Sequence, residues 1–292
     1  MVVLVTGGSG FIGSHLVDAL RAKGHTVRVF DKLRPSAELE WFRGDLRSKD
    51  DINEAVKDVE TVFHLAGVAD VNVATVDPQS CLELNELATL NLLSACSGHD
   101  VERIILASTV WVYGKMAGVV TEESPIPLPN DIYTKTKIGQ EHLLSSWSLS
   151  HSLPYTILRY DVPYGPRMRS NMAIAAFVRR AMRKEVISIF GDGSQGRCWI
   201  YVTDLAQGNC AAMKTQAANQ IINLAGREFV TISEIVNLLS EKLGEFPVKH
   251  EPARAVDFSG VRTNIEKAQK VLGWSPTSSF QEGLSRYVDS VS

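Results

Sequence analysis

The sequence predicts an α/β fold: a doubly wound parallel sheet with a smaller, discontinuous α/β lobe. Three observations predict it. Val2 to Val5 is an apolar, β-branched run suited to a strand buried on both faces. Gly7, Gly10 and Gly13 follow at two-residue gaps and lead into Phe11, Ile12, Leu16, Ala19 and Leu20 at helical spacing. Strand-like and helix-like segments then alternate to about residue 165, as right-handed βαβ crossovers require.

The glycines come first. Without side chains, their backbone can approach a pyrophosphate and the helix can pack tightly on the strand. The helix N-terminus adds unpaired N–H groups and a partial positive charge. Strand, glycine turn and helix together make the context of a dinucleotide site, and the sheet is then Rossmann-like. Thr26 to Phe30 reads as the second strand. It ends at Asp31, about 20 residues beyond the glycines, where a carboxylate can accept hydrogen bonds from ribose hydroxyls. A 2′-phosphate there would meet a negative charge, so Asp31 favours NAD; Lys32 and Arg34 leave NADP open.

The remaining elements follow in order. Leu39 to Arg43 is a short strand, and residues 50–59 form a helix capped by Asp50 or Asp51. Thr61 to Leu65 is the next buried strand. Residues 80–97 form a helix apolar over more than one face, covered by the sheet and by a partner subunit. Val101 to Ala107 is a strand, 131–149 a long helix capped by Asn130 or Asp131, and Tyr155 to Tyr160 a strand. Beyond residue 165, helices at 173–184, 232–243, 265–272 and 281–288 mix with short strands. The expected division is a dinucleotide-binding unit of 1–165 with a return segment at about 203–222. Residues 166–202 and 223–292 then form the substrate lobe over the carboxyl ends of the strands.

Bulk properties narrow the function. The 292 residues are 45% hydrophobic and 22% charged, an ordinary composition with length for a large core. A net charge of -3 gives no electrostatic case for nucleic acid or an anionic membrane. No apolar run reaches the ~18 residues of a membrane span, and the N-terminus lacks a signal-peptide pattern. The four cysteines, Cys81, Cys96, Cys198 and Cys210, form neither a CxxC pair nor a metal spacing, and fit a reducing cytosol.

The chemistry concentrates on three side chains. Tyr133 and Lys137, four apart, share one helix face. The strand at 101–107 delivers Ser108 and Thr109 to the carboxyl edge of the sheet, beside the glycine turn. A phenol of reference pKa about 10 is a poor base near neutrality. A nearby ammonium and an oxidised nicotinamide are expected to lower it, so that it takes a proton from a substrate hydroxyl. Thr109 can hold the developing carbonyl oxygen.

Here the chain resembles the extended short-chain dehydrogenases/reductases of the nucleotide-sugar epimerase/dehydratase family, along nearly its whole length. The resemblance rests on Thr6-Gly7-Gly8-Ser9-Gly10-Phe11-Ile12-Gly13, Gly44-Asp45-Leu46 and His64-Leu65-Ala66-Gly67. It continues through Asn85 in Asn-Glu-Leu-Ala-Thr, Ser108-Thr109 to Gly114, and Tyr133 to Lys137. Arg159-Tyr160 to Gly165-Pro166, Gly191 to Arg197 and Leu272 to Pro276 complete it.

The resemblance implies roles. Thr109, Tyr133 and Lys137 would be catalytic. Gly7, Gly10, Phe11, Ile12, Gly13, Asp31 and Lys32 would bind NAD, with Asp45 and Leu46 flanking the adenine. Leu65, Ala66 and Gly67 would line the cofactor channel. Lys137 would hold the nicotinamide ribose, Tyr160 and Pro163 would sit near the nicotinamide, and Asn85 would support the pocket. Arg197 and Arg254 would clamp the diphosphate of a nucleotide-sugar, with Asp257 beside them; guanidinium forks suit phosphate oxygens. The partner class is a nucleotide-diphosphate sugar, UDP-sugars favoured, and the assembly a homodimer.

Dehydratases and decarboxylases of the family carry an acidic residue in the two positions after Thr109, and this chain has Val110 and Trp111. Neither can transfer a proton, which leaves C4 epimerisation, as in UDP-glucose 4-epimerase, as the expectation. A keto-sugar reductase is the alternative enzyme and a dinucleotide-binding sensor the non-enzymatic one. Val162 replaces the family's usual Asn, with Asp161 beside it; Cys198 and Asn264 stand where Asp is usual. These departures bear on the sugar and the base rather than on the redox chemistry.

Overall fold

The computed structural model describes residues 1–116, 118–253 and 260–292. Seven parallel strands form the central sheet: β1 (Val2–Thr6), β2 (Thr26–Asp31), β3 (Glu40–Arg43), β4 (Thr61–His64), β5 (Arg103–Thr109), and two further strands, Tyr155–Tyr160 and Gln220–Leu224. β3 lies at one edge and Gln220–Leu224 at the other. The order reverses at β1, which pairs with β2 on one side and β4 on the other. This is the Rossmann-like doubly wound sheet, and such a reversal opens a crevice at the carboxyl ends of the strands.

Alternation along each strand separates two cores. Val3 and Val5 face helix α1 (Phe11–Ala22) and the helices Val202–Ala211 and Glu266–Leu272. Leu4 faces the opposite layer, built from α2 (Lys49–Ala55) and the helices Ala88–Ser97 and Ile132–His151. A third cluster, with Tyr164, Val178, Ile189, Trp199, Leu239, Phe280 and Tyr287, forms the core of the C-terminal segments.

Three departures from the expected elements bear on the site. α2 starts at Lys49 because Ser48, not Asp50 or Asp51, is its cap: the Ser48 hydroxyl accepts from the Asp51 N–H at 3.2 Å. Asp51 instead accepts from the Asp45 N–H at 3.0 Å. The helix expected at 80–97 is interrupted by a π-helical turn, Glu83–Leu87, which turns Asn85 into the interior. β5 runs on through Ser108 and Thr109, so both hydroxyls leave the sheet at its end.

The glycine turn depends on close backbone contact. A Cβ on Gly13 would lie 2.1 Å from the Gly7 carbonyl oxygen, and Gly7 itself has φ +73°. The obstacle at Gly13 is backbone, so Gly13→Ala must push α1 off β1. We expect a loss of about 1–3 kcal/mol, read by denaturant unfolding. An unchanged midpoint with unchanged dinucleotide affinity would contradict the packing described.

Candidate active site

One cavity of about 1000 Å³ runs along the carboxyl ends of the strands. That is the top of the ~300–1,000 Å³ range for drug-sized ligands, with room for a dinucleotide and a second molecule. Gly7, Gly10, Phe11, Ile12, Gly13, Asp31, Lys32, Asp45, Leu46, Leu65, Ala66, Gly67, Thr109, Tyr133, Lys137, Tyr160 and Pro163 all line it. Asn85 and Arg197 do not. Arg254 and Asp257 lie outside the described residues.

The dinucleotide end fits its expected occupant. No side chain caps the N-terminus of α1 and no acidic residue stands in its first turn, so its N–H groups face the cavity beside Gly10 uncountered. Asp31 is oriented by two backbone donors: Ser9 N–H to Oδ2 and Leu33 N–H to Oδ1, each at 3.0 Å. Each oxygen keeps a lone pair for a ribose hydroxyl. The Lys32 ammonium is spoken for, since it pairs with Asp45 at 3.0 Å. Asp45 also takes the Arg47 guanidinium at 2.6 Å, which holds its carboxyl well below the usual range. These partners leave Lys32 a matched charge rather than an open phosphate site.

Asn85 stands behind the wall. Its Oδ1 accepts from the Val68 N–H at 2.8 Å, and its Nδ2 donates to the Val68 carbonyl at 3.0 Å and to Thr136 Oγ1 at 2.9 Å. Thr136 donates to the Tyr133 carbonyl. The π-helical turn therefore ties the loop after β4 to the helix that carries Tyr133. A second buried chain lies beside it. Thr89 donates to the Asn85 carbonyl at 2.5 Å and accepts from Gln140 Nε2 at 2.7 Å, so the His64 Nε2–H is its other donor, at 2.9 Å. His64 Nδ1 then accepts from Thr6, whose oxygen accepts from the Ala66 N–H. Burial drives His64 down to about 3, so it is neutral.

Thr109 and Tyr133 both line the cavity, with the Thr109 hydroxyl close enough to the phenol to favour its ionised form. Lys137 points from the same helix face into the strand end and donates to the Ala107 carbonyl at 3.0 Å. The expected lowering of the phenol is not what the protein groups produce. Burial pushes Tyr133 up to about 12, opposed by the nearby Thr109 hydroxyl and by Arg169. Arg169, another lining residue, adds positive charge near the phenol, while the Lys137 ammonium donates to Ala107. Burial also lowers Lys137 to about 8. Tyr160 lines the cavity by its ring while its hydroxyl bonds to Asn209.

Sequence reasoning missed the groups that set this geometry. Glu141 lies one turn beyond Lys137 and forms a buried two-pronged pair with Arg159, at 3.0 and 2.6 Å. Ser108 donates to Glu141 at 2.5 Å, and Arg159 donates to the Tyr113 hydroxyl at 3.0 Å, which donates to Asn223 at 2.7 Å. The i, i+4 spacing of Lys137 and Glu141 was the available signal. Trp111, Asp161, Arg167 and Arg169 also line the cavity and were not assigned to it. Among the described residues no group of three His, Cys, Asp or Glu could hold a metal, and no helix is long and apolar enough to cross a membrane.

A glycine turn at a sheet reversal, an oriented acid at the end of β2 and a Thr–Tyr–Lys set in one cavity define a dinucleotide-dependent enzyme of the short-chain dehydrogenase/reductase type. The chain belongs to the NAD dependent epimerase/dehydratase family, whose model matches residues 3–225, and is an NAD-dependent enzyme of the nucleotide-sugar epimerase type. It is 30% identical to a UDP-glucuronate 4-epimerase of Thermodesulfobacterium geofontis, covering 98% of this chain and 94% of that one. It is 29% identical to a UDP-N-acetyl-alpha-D-glucosaminuronate decarboxylase of Bacillus cytotoxicus, covering 98% and 96%. Among solved structures it resembles MoeE5 in complex with UDP-glucose and NAD (TM-score 0.93, 32% identity, all of both chains). It also resembles the UDP-glucose 4-epimerase of Thermotoga maritima with UDP-glucose (TM-score 0.92, 32% identity, 99% and 98%).

The buried lysine predicts a pH signature. Between about pH 8 and 10.5 the unfolded chain holds the Lys137 proton that the native protein has lost. More protons on the unfolded state mean that this contribution to stability rises with pH across the window. Lys137→Met should flatten that rise in denaturant unfolding measured from pH 7.5 to 10.5. A difference between variant and wild type that stays constant over the window would contradict it.

Proposed function

We propose that this chain interconverts C4 epimers of a UDP-sugar through a transient 4-keto sugar, with NAD kept bound between turnovers. The observation that carries this is the meeting of Thr109 and Tyr133, with Lys137 on the same helix face, in the cavity that the glycine turn opens into. When bound, the nicotinamide supplies the hydride acceptor and donor.

The chain's own residues handle the proton. Tyr133 takes it from the C4 hydroxyl and returns it to the opposite epimer, and Thr109 holds the same oxygen by a hydrogen bond. Lys137, fixed on the Ala107 carbonyl, places a cation beneath the reacting end. A phenol at about 12 is held neutral by the protein alone, so the positive charge of an oxidised nicotinamide is what would bring it toward the working range.

Two observations favour epimerisation over dehydration or decarboxylation. Val110 is buried and Trp111 lines the cavity, so neither position after Thr109 offers a proton. The acids elsewhere in the wall are engaged: Asp70 caps the helix Val71–Val76, and both oxygens of Asp161 accept internal hydrogen bonds. MoeE5 with UDP-glucose and NAD, and the UDP-glucose 4-epimerase of T. maritima, support the choice of a UDP-sugar. The assembly we propose is a homodimer: Val73, Val76, Leu87, Leu90, Ile132 and Leu149 leave apolar surface exposed on neighbouring helices.

Incubation with UDP-hexoses, without added cofactor and followed by proton NMR, should yield the C4 epimer with no loss of water or carbon dioxide. Tyr133→Phe should cut turnover by about 10²–10⁴-fold while leaving the NAD content unchanged. A 4-keto-6-deoxy or pentose product, or full activity in Tyr133→Phe, would overturn the reading.

A further inference from the structure

Asp161 stands in the cavity wall where the strand Tyr155–Tyr160 ends, and it is 2% exposed. Its carboxyl joins two segments of chain, and a third is linked through the second. Its own successor, Val162, donates N–H to Oδ1 at 2.8 Å. The Thr263 hydroxyl, from the two-residue strand Arg262–Thr263, donates to Oδ2 at 2.7 Å. The Cys198 backbone lies close enough to favour the ionised carboxyl. Thr263 and Cys198 are joined in turn, Thr263 N–H donating to Cys198 Sγ at 3.5 Å.

Both hydrogen-bond partners are donors, so they match a carboxylate, which only accepts. Burial pulls the other way and raises Asp161 to about 6, while the charge of Arg197 helps to hold it ionised. Arg197 immediately precedes Cys198, so the residue whose charge Asp161 balances is attached to the segment that Asp161 pins. The segment before Thr263 presses on the same place: a Cβ on Gly260 would lie 1.9 Å from the Gly196 carbonyl oxygen and 2.6 Å from Arg197 Nη1. Two neighbours that could have done this work are apolar or weakly polar here, Val162 and Cys198.

We propose that Asp161 is a positioning residue that fixes Arg197, through Cys198 and Thr263, to receive the diphosphate of the substrate. This rests on the nucleotide-sugar reading above. Arg197 lies outside the cavity lining but close enough to Asp161 for its charge to act on the carboxyl, and Asp161 is linked to the segment that carries Arg197 through Thr263 and Cys198. Asp161→Asn keeps the size but removes the charge and turns an N–H toward a donor.

The test uses the full-length protein as purified, with UDP as the probe in titration calorimetry and the UDP-sugar for kinetics. Asp161→Asn should weaken UDP about tenfold, the equivalent of about 1.4 kcal/mol, and raise KM similarly while moving kcat far less. NAD content should not change. Thr263→Val, which removes one donor and leaves the carboxylate, should shift UDP affinity in the same direction by a smaller factor. In an Arg197→Ala background, Asp161→Asn should add little, because the residue it positions is gone. UDP affinity unchanged in both Asp161→Asn and Thr263→Val would overturn the proposal, as would an equal loss with and without Arg197. Should Asp161→Asn not fold, the cycle of Thr263→Val with Arg197→Ala gives the same decision. A wild type that epimerises nothing and binds no UDP overturns the functional reading and this one together; UDP binding by the wild type with no coupling to Arg197 overturns this one alone.

Discussion

The Arg159–Glu141 pair decides where the long helix crosses the sheet. Arg159 comes from the strand Tyr155–Tyr160 and Glu141 from the helix Ile132–His151, and both are almost wholly buried. A buried charge pair of this kind is no assurance of net stability, since desolvation opposes the attraction. It does impose one register, because removing either partner leaves an unpaired buried charge. With Glu141 fixed, Lys137 lies one turn back and Tyr133 two turns back along the same face. Ser108, bonded to Glu141, fixes the residue next to Thr109 in the same step. The three chemical groups are therefore set by one interaction that touches none of the reacting atoms.

The electrostatics of the site follow from burial around that frame. Lys137 has the Ala107 carbonyl as its hydrogen-bond acceptor, with the Glu141 carboxylate supporting its charge. His64, close enough to be affected by Lys137, is kept neutral by burial and in one tautomer by Thr6 and Thr89. A second cation there would have lowered the lysine further. The phenol sits high for the same reason the lysine sits low: both resist ionisation where water is scarce. Proton transfer in such a site calls on a charge that arrives with the cofactor.

Much of this was legible in the residues. The apolar run at Val2–Val5, the glycines and the i, i+4 pair at Tyr133 and Lys137 each follow from a local period, and local periods survive folding. The strand and helix order followed from them, and with it the sheet. The unread parts are those in which a side chain serves a distant segment. Ser48 displaced Asp50 and Asp51 as a cap because Asp51 was drawn to Asp45. The π-helical turn at Glu83–Leu87 leaves no periodic trace, since it is an insertion that lets Asn85 reach Val68 and Thr136. Asp161 could be seen as a departure from a motif, yet its distant hydrogen-bond partner, Thr263, is 102 positions away.

The central claim is that one carbon of the sugar is oxidised and reduced again within one binding event, under a phenol and a threonine hydroxyl. The most direct measurement is the fate of deuterium placed at C4 of the UDP-sugar, with turnover in ordinary water and mass and NMR analysis of both epimers. The account predicts that the label stays at C4 in the inverted product, because hydrogen returns to the carbon it left. Washout of the label to solvent would contradict it, since inversion would then proceed by exchange of a carbon-bound proton.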